Sequence, residues 1–199
     1  MKTLIAIIAV VAASASIIPG TPMREIEDRA AAGNPAAITA LRDSASAGNA
    51  RAMNFLGFLY WQGMGTRLDR DSSLFFLRKA VDAGDIKATA NLGHLLLTGA
   101  PELKADTTEA LRLLDLAAGR HSSAAIRELA DFFEKNSGDS TSAGAIKKVA
   151  DAYSHGDILR YNYKKSIIYY DRAAQLGDTA AKRIVSELLE IFPDALPHK

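Results

Sequence analysis

The chain has 199 residues, no cysteine, and 24 lysines and arginines against 23 aspartates and glutamates. The missing cysteines exclude disulfides, thiolate metal sites, a cysteine nucleophile and a lipid-modified N-terminal cysteine, and the balanced charge supplies no field to favour nucleic acid. With 48% hydrophobic and 24% charged residues the chain can bury a sizeable core, which has to be held by packing alone.

At the N-terminus, Met1-Lys2-Thr3 gives a short positive start, Leu4 to Ala12 an unbroken apolar run, and Ala13-Ser14-Ala15 a small-residue cleavage signal. Residues 1–15 are therefore expected to be a bacterial-type secretory signal peptide cleaved after Ala15, giving a periplasmic or secreted protein with no stable membrane insertion. The alternative is an uncleaved N-terminal anchor. The run from Leu4 to Ile18 is 15 residues, short of the roughly 20 that a membrane-crossing helix needs. Residues 16–22 contain Pro19, Gly20 and Pro22 and read as a linker.

From Met23 onward the pattern is helical. Met23 to Ala32 and Pro35 to Ala47 are alanine-rich helices, the second opened by Asn34 as N-cap and Pro35 at the first helical position, and together 23–47 form an N-terminal cap. Next comes a recurring turn: Gly48-Asn49 before Ala52, Gly84-Asp85 before Ala88 and Gly177-Asp178 before Ala181. Gly48 to Gly84 and Gly63 to Gly99 are both 36 apart, which predicts helix pairs that bury their apolar faces only by stacking on neighbours.

The repeats are read as 48–83, 84–118, an irregular 119–144, and 145–177, with a C-terminal capping helix at 178–192 and a tail at 193–199. In the first, Ala52, Leu56, Leu59 and Tyr60 make the core stripe of the first helix, Asp69 caps the second, and Leu74, Leu77 and Val81 are its core, with Phe75 and Phe76 adding aromatic bulk. Gly57 and its counterpart Gly93 lie inside helices at a cost of about 1 kcal/mol each, so a neighbouring helix is expected to approach closely there. Asp106 and Glu109 have the spacing of a capping box.

The third repeat departs from the plan after Phe133. A polar stretch, Asn136 to Gly144, stands where a second helix belongs, and the following helix, Ala145 to His155, has first-helix features. Two placements follow: Ser137 to Gly144 runs back extended, over about 26 Å, and restores parity, or the helix turns antiparallel into the vacant slot, which short-loop statistics favour. Asn162 to Leu176 is the last full repeat helix.

Leu56-Gly57-Phe58-Leu59-Tyr60, Gly63-Met64-Gly65, Asp69, Arg78-Lys79-Ala80 and Gly84 resemble the Sel1-like repeat family, a relative of the tetratricopeptide repeats. Tyr153, Gly156, Tyr163, Lys165, Tyr169-Tyr170, Arg172-Ala173-Ala174 and Gly177-Asp178 make a second copy of the motif, and the resemblance runs from about Ala47 to Ala181. Gly99-Ala100-Pro101 and Asn162 depart from the family pattern. The resemblance implies an all-α fold, an αα solenoid of helical hairpins, acting as a non-enzymatic adaptor or scaffold in a bacterial envelope or secreted space. It carries no catalytic residues.

The residues agree. His94, His121, His155 and His198 lack the spacing of a helical zinc motif, Gly63-Met64-Gly65 lacks the strand and third glycine of a nucleotide loop, and Asp131 with Glu134 is ordinary acidic surface. No cofactor, metal or catalytic residue is expected. Tyr161, Tyr163, Tyr169 and Tyr170 near Lys164 and Lys165 read as helix packing under lysine stems ahead of a recognition patch.

The expected partner is a protein or peptide, held on the first-helix stripe that lies beside the core stripe: Asn54, Phe58 and Trp61, then Ala90, His94 and Leu97, then Arg127, Asp131 and Glu134. Trp61 suits either an interface anchor or an inter-repeat groove, and replacing Trp61 and Phe58 is expected to weaken capture more than folding. Two other readings compete: a repeat-based envelope hydrolase, which would need a deep pocket, and an inhibitor or immunity-type protein with one cognate partner.

Overall fold

In the computed structural model the described residues are 17, 20–101, 103–136 and 142–196. The predicted signal peptide, most of the loop after Asn136 and the end of the tail lie outside them. Among the described residues the fold is ten α-helices: α1 (Met23–Ala31), α2 (Pro35–Ser46), α3 (Ala50–Gln62), α4 (Arg70–Asp82), α5 (Ile86–Thr98), α6 (Thr107–Gly119), α7 (Ser123–Lys135), α8 (Ala143–His155), α9 (Tyr163–Gln175) and α10 (Thr179–Ile191). None is long and apolar enough to cross a membrane.

Local chemistry sets these boundaries. Asn34, Asn49, Asp69, Asp85, Asp106, Ser122, Ser142, Asn162 and Asp178 each accept the backbone N–H three residues on, at 2.6 to 3.4 Å, and so satisfy a donor that the first turn leaves free. Asn162 caps as the aspartates do. The capping box at Asp106 is half formed: its carboxylate accepts from the Glu109 N–H at 3.1 Å, whereas the Glu109 carboxylate is taken by Arg112 at 2.7 Å. At the other ends, Gly63 and Gly156 terminate α3 and α8 with φ of 68° and 74°, the left-handed backbone that a side chain resists.

The chain divides into two compact units. The first holds the described residues to Leu92 with Pro101 and Leu103, and the second holds Gly93–Ala100 and the described residues from Lys104 on. In the first, α1 packs on α2, α2 on α3, and α3 pairs with α4, so the first four helices share one core. Leu41, Leu56, Leu59 and Leu77 are fully buried there. Leu74 is also buried, but Val81, expected in the core, is half-buried, and Phe75 is 52% exposed with Lys79 lying over its ring.

In the second unit α6 packs on α7, α8 on both, and α9 joins α8 to α10. The α8/α9 pair repeats the geometry of α3/α4. The Tyr60 carbonyl accepts from the Asp69 N–H and the Tyr153 carbonyl from the Asn162 N–H, both at 3.0 Å. Tyr60 stacks on Phe76 at 5.7 Å and Tyr153 on Tyr169 at 5.8 Å, nearly parallel in each case. α8 is thus a first helix toward α9 while it also packs directly on α6, where Lys148 Nζ meets Asp115 Oδ1 at 2.5 Å.

Candidate functional site

On the first unit, the expected stripe lies on the outer face of α3, because Ala52, Leu56 and Leu59 turn the opposite face into the core. Phe58 is 40% exposed, and its ring stands 5.9 Å from that of Phe55. Asn54 is half-buried and accepts a hydrogen bond at 3.0 Å from the amide of Asn91 on α5. Trp61 is half-buried as well. The Arg70 guanidinium lies 3.9 Å over its ring, and Arg70 also donates to the Trp61 carbonyl, so Trp61 ties the end of α3 to the start of α4.

Ala90 does not belong to an accessible stripe. It is 5% exposed, and the residue beside Asn54 is Asn91. The register of 36 carries Asn54 to Ala90, but side chains lean along their helices, and the neighbour reached across α3 and α5 is one position further on.

A cleft of about 480 Å³ opens next to Asn54, lined by Glu27, Arg51, Asn54, Phe55, Asp85 and Lys87 among others. Arg51 grips Glu27 with two bonds, 2.6 and 2.5 Å, and these hydrogen bonds raise the guanidinium pKa above its ordinary value.

On the second unit, His94 is exposed and its Nδ1 is 2.9 Å from Glu128 Oε1, Leu97 is half-buried, and Arg127 and Asp131 are exposed. Glu134 is held at the end of α7 by Lys165 Nζ at 2.6 Å and by the Tyr153 hydroxyl. These two hydrogen bonds, the Lys165 one foremost, lower the Glu134 pKa below the ordinary carboxylate value, and the same bond to Glu134 raises that of Lys165. Burial, then the Glu134 bond, raises the Tyr153 phenol.

All three shifts lead away from neutrality. The cluster therefore fixes charge and offers no group poised to exchange protons near pH 7. Tyr153, Tyr169 and Tyr170 are buried, so the tyrosine-rich segment is mainly packing, with Tyr161 alone of the four predicted tyrosines exposed, at 62%. Among the described residues no group of three histidine, aspartate or glutamate side chains converges to hold a metal.

Sequence reasoning missed Asn91, Phe55 and the Glu27–Arg51 pair. Each depends on which helices meet, and only Asn91 had a cue, as a polar neighbour of the position that register selected.

The Sel1 repeat pattern matches residues 50–85, 86–120 and 143–178, together more than half of the chain. Its third match takes α8 and α9 as one repeat and leaves α7 outside. No curated protein matches the chain. Among solved structures, a Sel1 repeat protein from Oxalobacter formigenes is similar with a TM-score of 0.53 and 21% identity, over 83% of this chain and 74% of that one. A protective antigen of uropathogenic Escherichia coli strains displaying an SLR fold is similar with a TM-score of 0.51 and 20% identity, over 89% of this chain but 43% of that one. At such identity the likeness is one of fold.

Proposed function

Because the chain belongs to the Sel1 repeat family, whose members generally mediate protein–protein interaction, we propose that it is a non-enzymatic scaffold of the bacterial envelope or secreted space that holds a protein or peptide partner on the outer faces of its first helices. The observation that carries this reading is the α3 surface: Phe58, 40% exposed, and Asn54 sit on a helix whose other face is locked in the core. A partner can be gained there without disturbing the fold. The signal-like sequence of residues 1–15 supports export and cleavage after Ala15. His94, Leu97, Arg127, Asp131 and Glu134 are the corresponding surface of the second unit, with Glu134 already bound to Lys165.

Affinity capture from an envelope fraction, with the wild-type chain and the Phe58→Ala variant as parallel baits, tests the reading. A specific protein recovered by the first and lost by the second, at equal melting temperature, supports it; identical recoveries remove Phe58 from the interface. Fractionation of the native chain tests the location, and uncleaved protein in the cytosol would end the export proposal.

A further inference from the structure

We propose that the cleft between α3 and the start of α5 binds an extended peptide, with Asn54 of its lining and Asn91, which lies outside the lining but is bonded to Asn54, gripping the main-chain N–H and C=O of one of its residues. This rests on the scaffold reading and deepens it by naming the chemistry of the partner segment.

The argument begins with hydrogen-bond valence. Asn91 Nδ2 donates to Asn54 Oδ1 at 3.0 Å, and among the described residues neither carboxamide has any other protein partner. A carboxamide carries one acceptor oxygen and two N–H donors. One mutual bond therefore leaves the NH₂ of one residue and the oxygen of the other uncommitted. Exchanging the nitrogen and oxygen of both amides preserves that count, so the conclusion does not depend on how the amides are oriented.

An adjacent donor and acceptor match the N–H and C=O of a single residue in an extended chain. Those two groups point to the same side, as they do in the hydrogen-bonded pairs of an antiparallel ladder. Asn54 on α3 and Asn91 in the part of α5 before Gly93 both belong to the first unit, and their mutual bond orients the two carboxamides before a partner arrives.

The surroundings suit such a segment. Phe55 lines the cleft and touches the exposed Phe58 ring, an apolar seat for a flanking side chain. The cleft's volume, about 480 Å³, takes a few side chains and lies within the roughly 300–1,000 Å³ typical of binding pockets.

Charge narrows the partner further. Glu27 is engaged by Arg51, and the Asp85 carboxylate accepts the Ala88 N–H at 2.6 Å. Lys87 lines the same cleft with no carboxylate partner among the described residues. An acidic side chain on the bound segment would complete it.

The test is selection of a phage-displayed library of 12-residue peptides on the full chain, followed by an N-methyl scan of the tightest peptide. We expect one position where N-methylation weakens binding to the wild-type chain by tenfold or more, and by less than twofold in the Asn54→Ala/Asn91→Ala double variant. Lys87→Glu should weaken peptides with an acidic residue near that position. Asn54→Asp, nearly isosteric, serves if the double variant fails to fold.

Equal peptide affinity for wild type and the asparagine variants would overturn the inference and leave the scaffold reading standing. So would a library that yields no peptide while Phe58→Ala still abolishes protein capture. An asparagine-dependent peptide together with capture unaffected by Phe58→Ala would do the reverse, keeping the cleft and removing the Phe58 surface.

Discussion

Gly57 of α3 lies so close beneath Leu77 of α4 that a Cβ on the glycine would stand 2.6 Å from Leu77 Cγ and 3.2 Å from the Ser73 carbonyl. Leu77 is 1% exposed and has no room to retreat, and the Ser73 hydroxyl fastens the contact by donating to the Gly57 carbonyl at 2.7 Å. Glycine-to-alanine in a helix normally gains about 1 kcal/mol. Here the overlap outweighs that gain, and Gly57→Ala should lower stability by about 1–3 kcal/mol in urea unfolding. Combining it with Leu77→Ala should cost less than the sum of the two single changes, because the smaller side chain vacates the space that the new methyl needs.

His121 adopts φ of 61°, the one positive value at a non-glycine among the described residues. It stands just before the N-cap Ser122, where Gly48, Gly84 and Gly177 stand before theirs. A side chain in left-handed backbone is strained by about 1 kcal/mol, partly offset when glycine is substituted by the greater freedom of the unfolded chain. His121→Gly should therefore raise the melting temperature slightly, while His121→Val, branched at Cβ, should lower it clearly.

The two glycines inside helices, the caps at Asn34, Asp69 and Asp106 and the glycine turns were legible because each answers a local demand: close approach, an orphan N–H, or φ above zero. Sequence reasoning missed the caps at Ser122, Ser142 and Asn162. The partner-facing pairs were less legible. Register takes Asn54 to Ala90 and His94 to Asp131, yet the observed contacts are Asn54–Asn91 and His94–Glu128. Side-chain lean and small shifts between neighbouring helices decide such pairs, and neither leaves a mark in sequence spacing. The stacking of Tyr153 on Tyr169, by contrast, could have been inferred from Tyr60 and Phe76 had the α3/α4 pairing been known.

Phe58 and Trp61 share a helix face but not an environment. Phe58 is 40% exposed and touches Phe55, whereas Trp61 is covered by the Arg70 guanidinium, which also holds its carbonyl. Trp61→Ala should lower stability by about 1–2 kcal/mol by loosening the α3–α4 junction, and Phe58→Ala by less than about 0.5 kcal/mol. Chemical denaturation of the two single variants checks the order. Phe58→Ala is thus the cleaner probe of partner capture.

Glu134 links stability to pH at the acid end through Lys165 and Tyr153. Its pKa in the folded chain lies below the ordinary value of 4.5, so its contribution is complete above that value and is lost as pH falls through the lower folded one. Glu134 is 40% exposed, and solvent holds the contribution to the modest scale of a surface pair. Melting temperature followed below pH 4.5 should fall less steeply for Glu134→Gln than for the wild type. At the alkaline end the sign reverses: burial pushes the Tyr169 phenol up to about 12, so the unfolded chain ionises first and stability should decline as pH rises past the ordinary value of 10. Tyr169→Phe, which removes the ionising group and keeps the stacked ring, should flatten the alkaline decline, and an unchanged slope would mean that Tyr169 does not supply it.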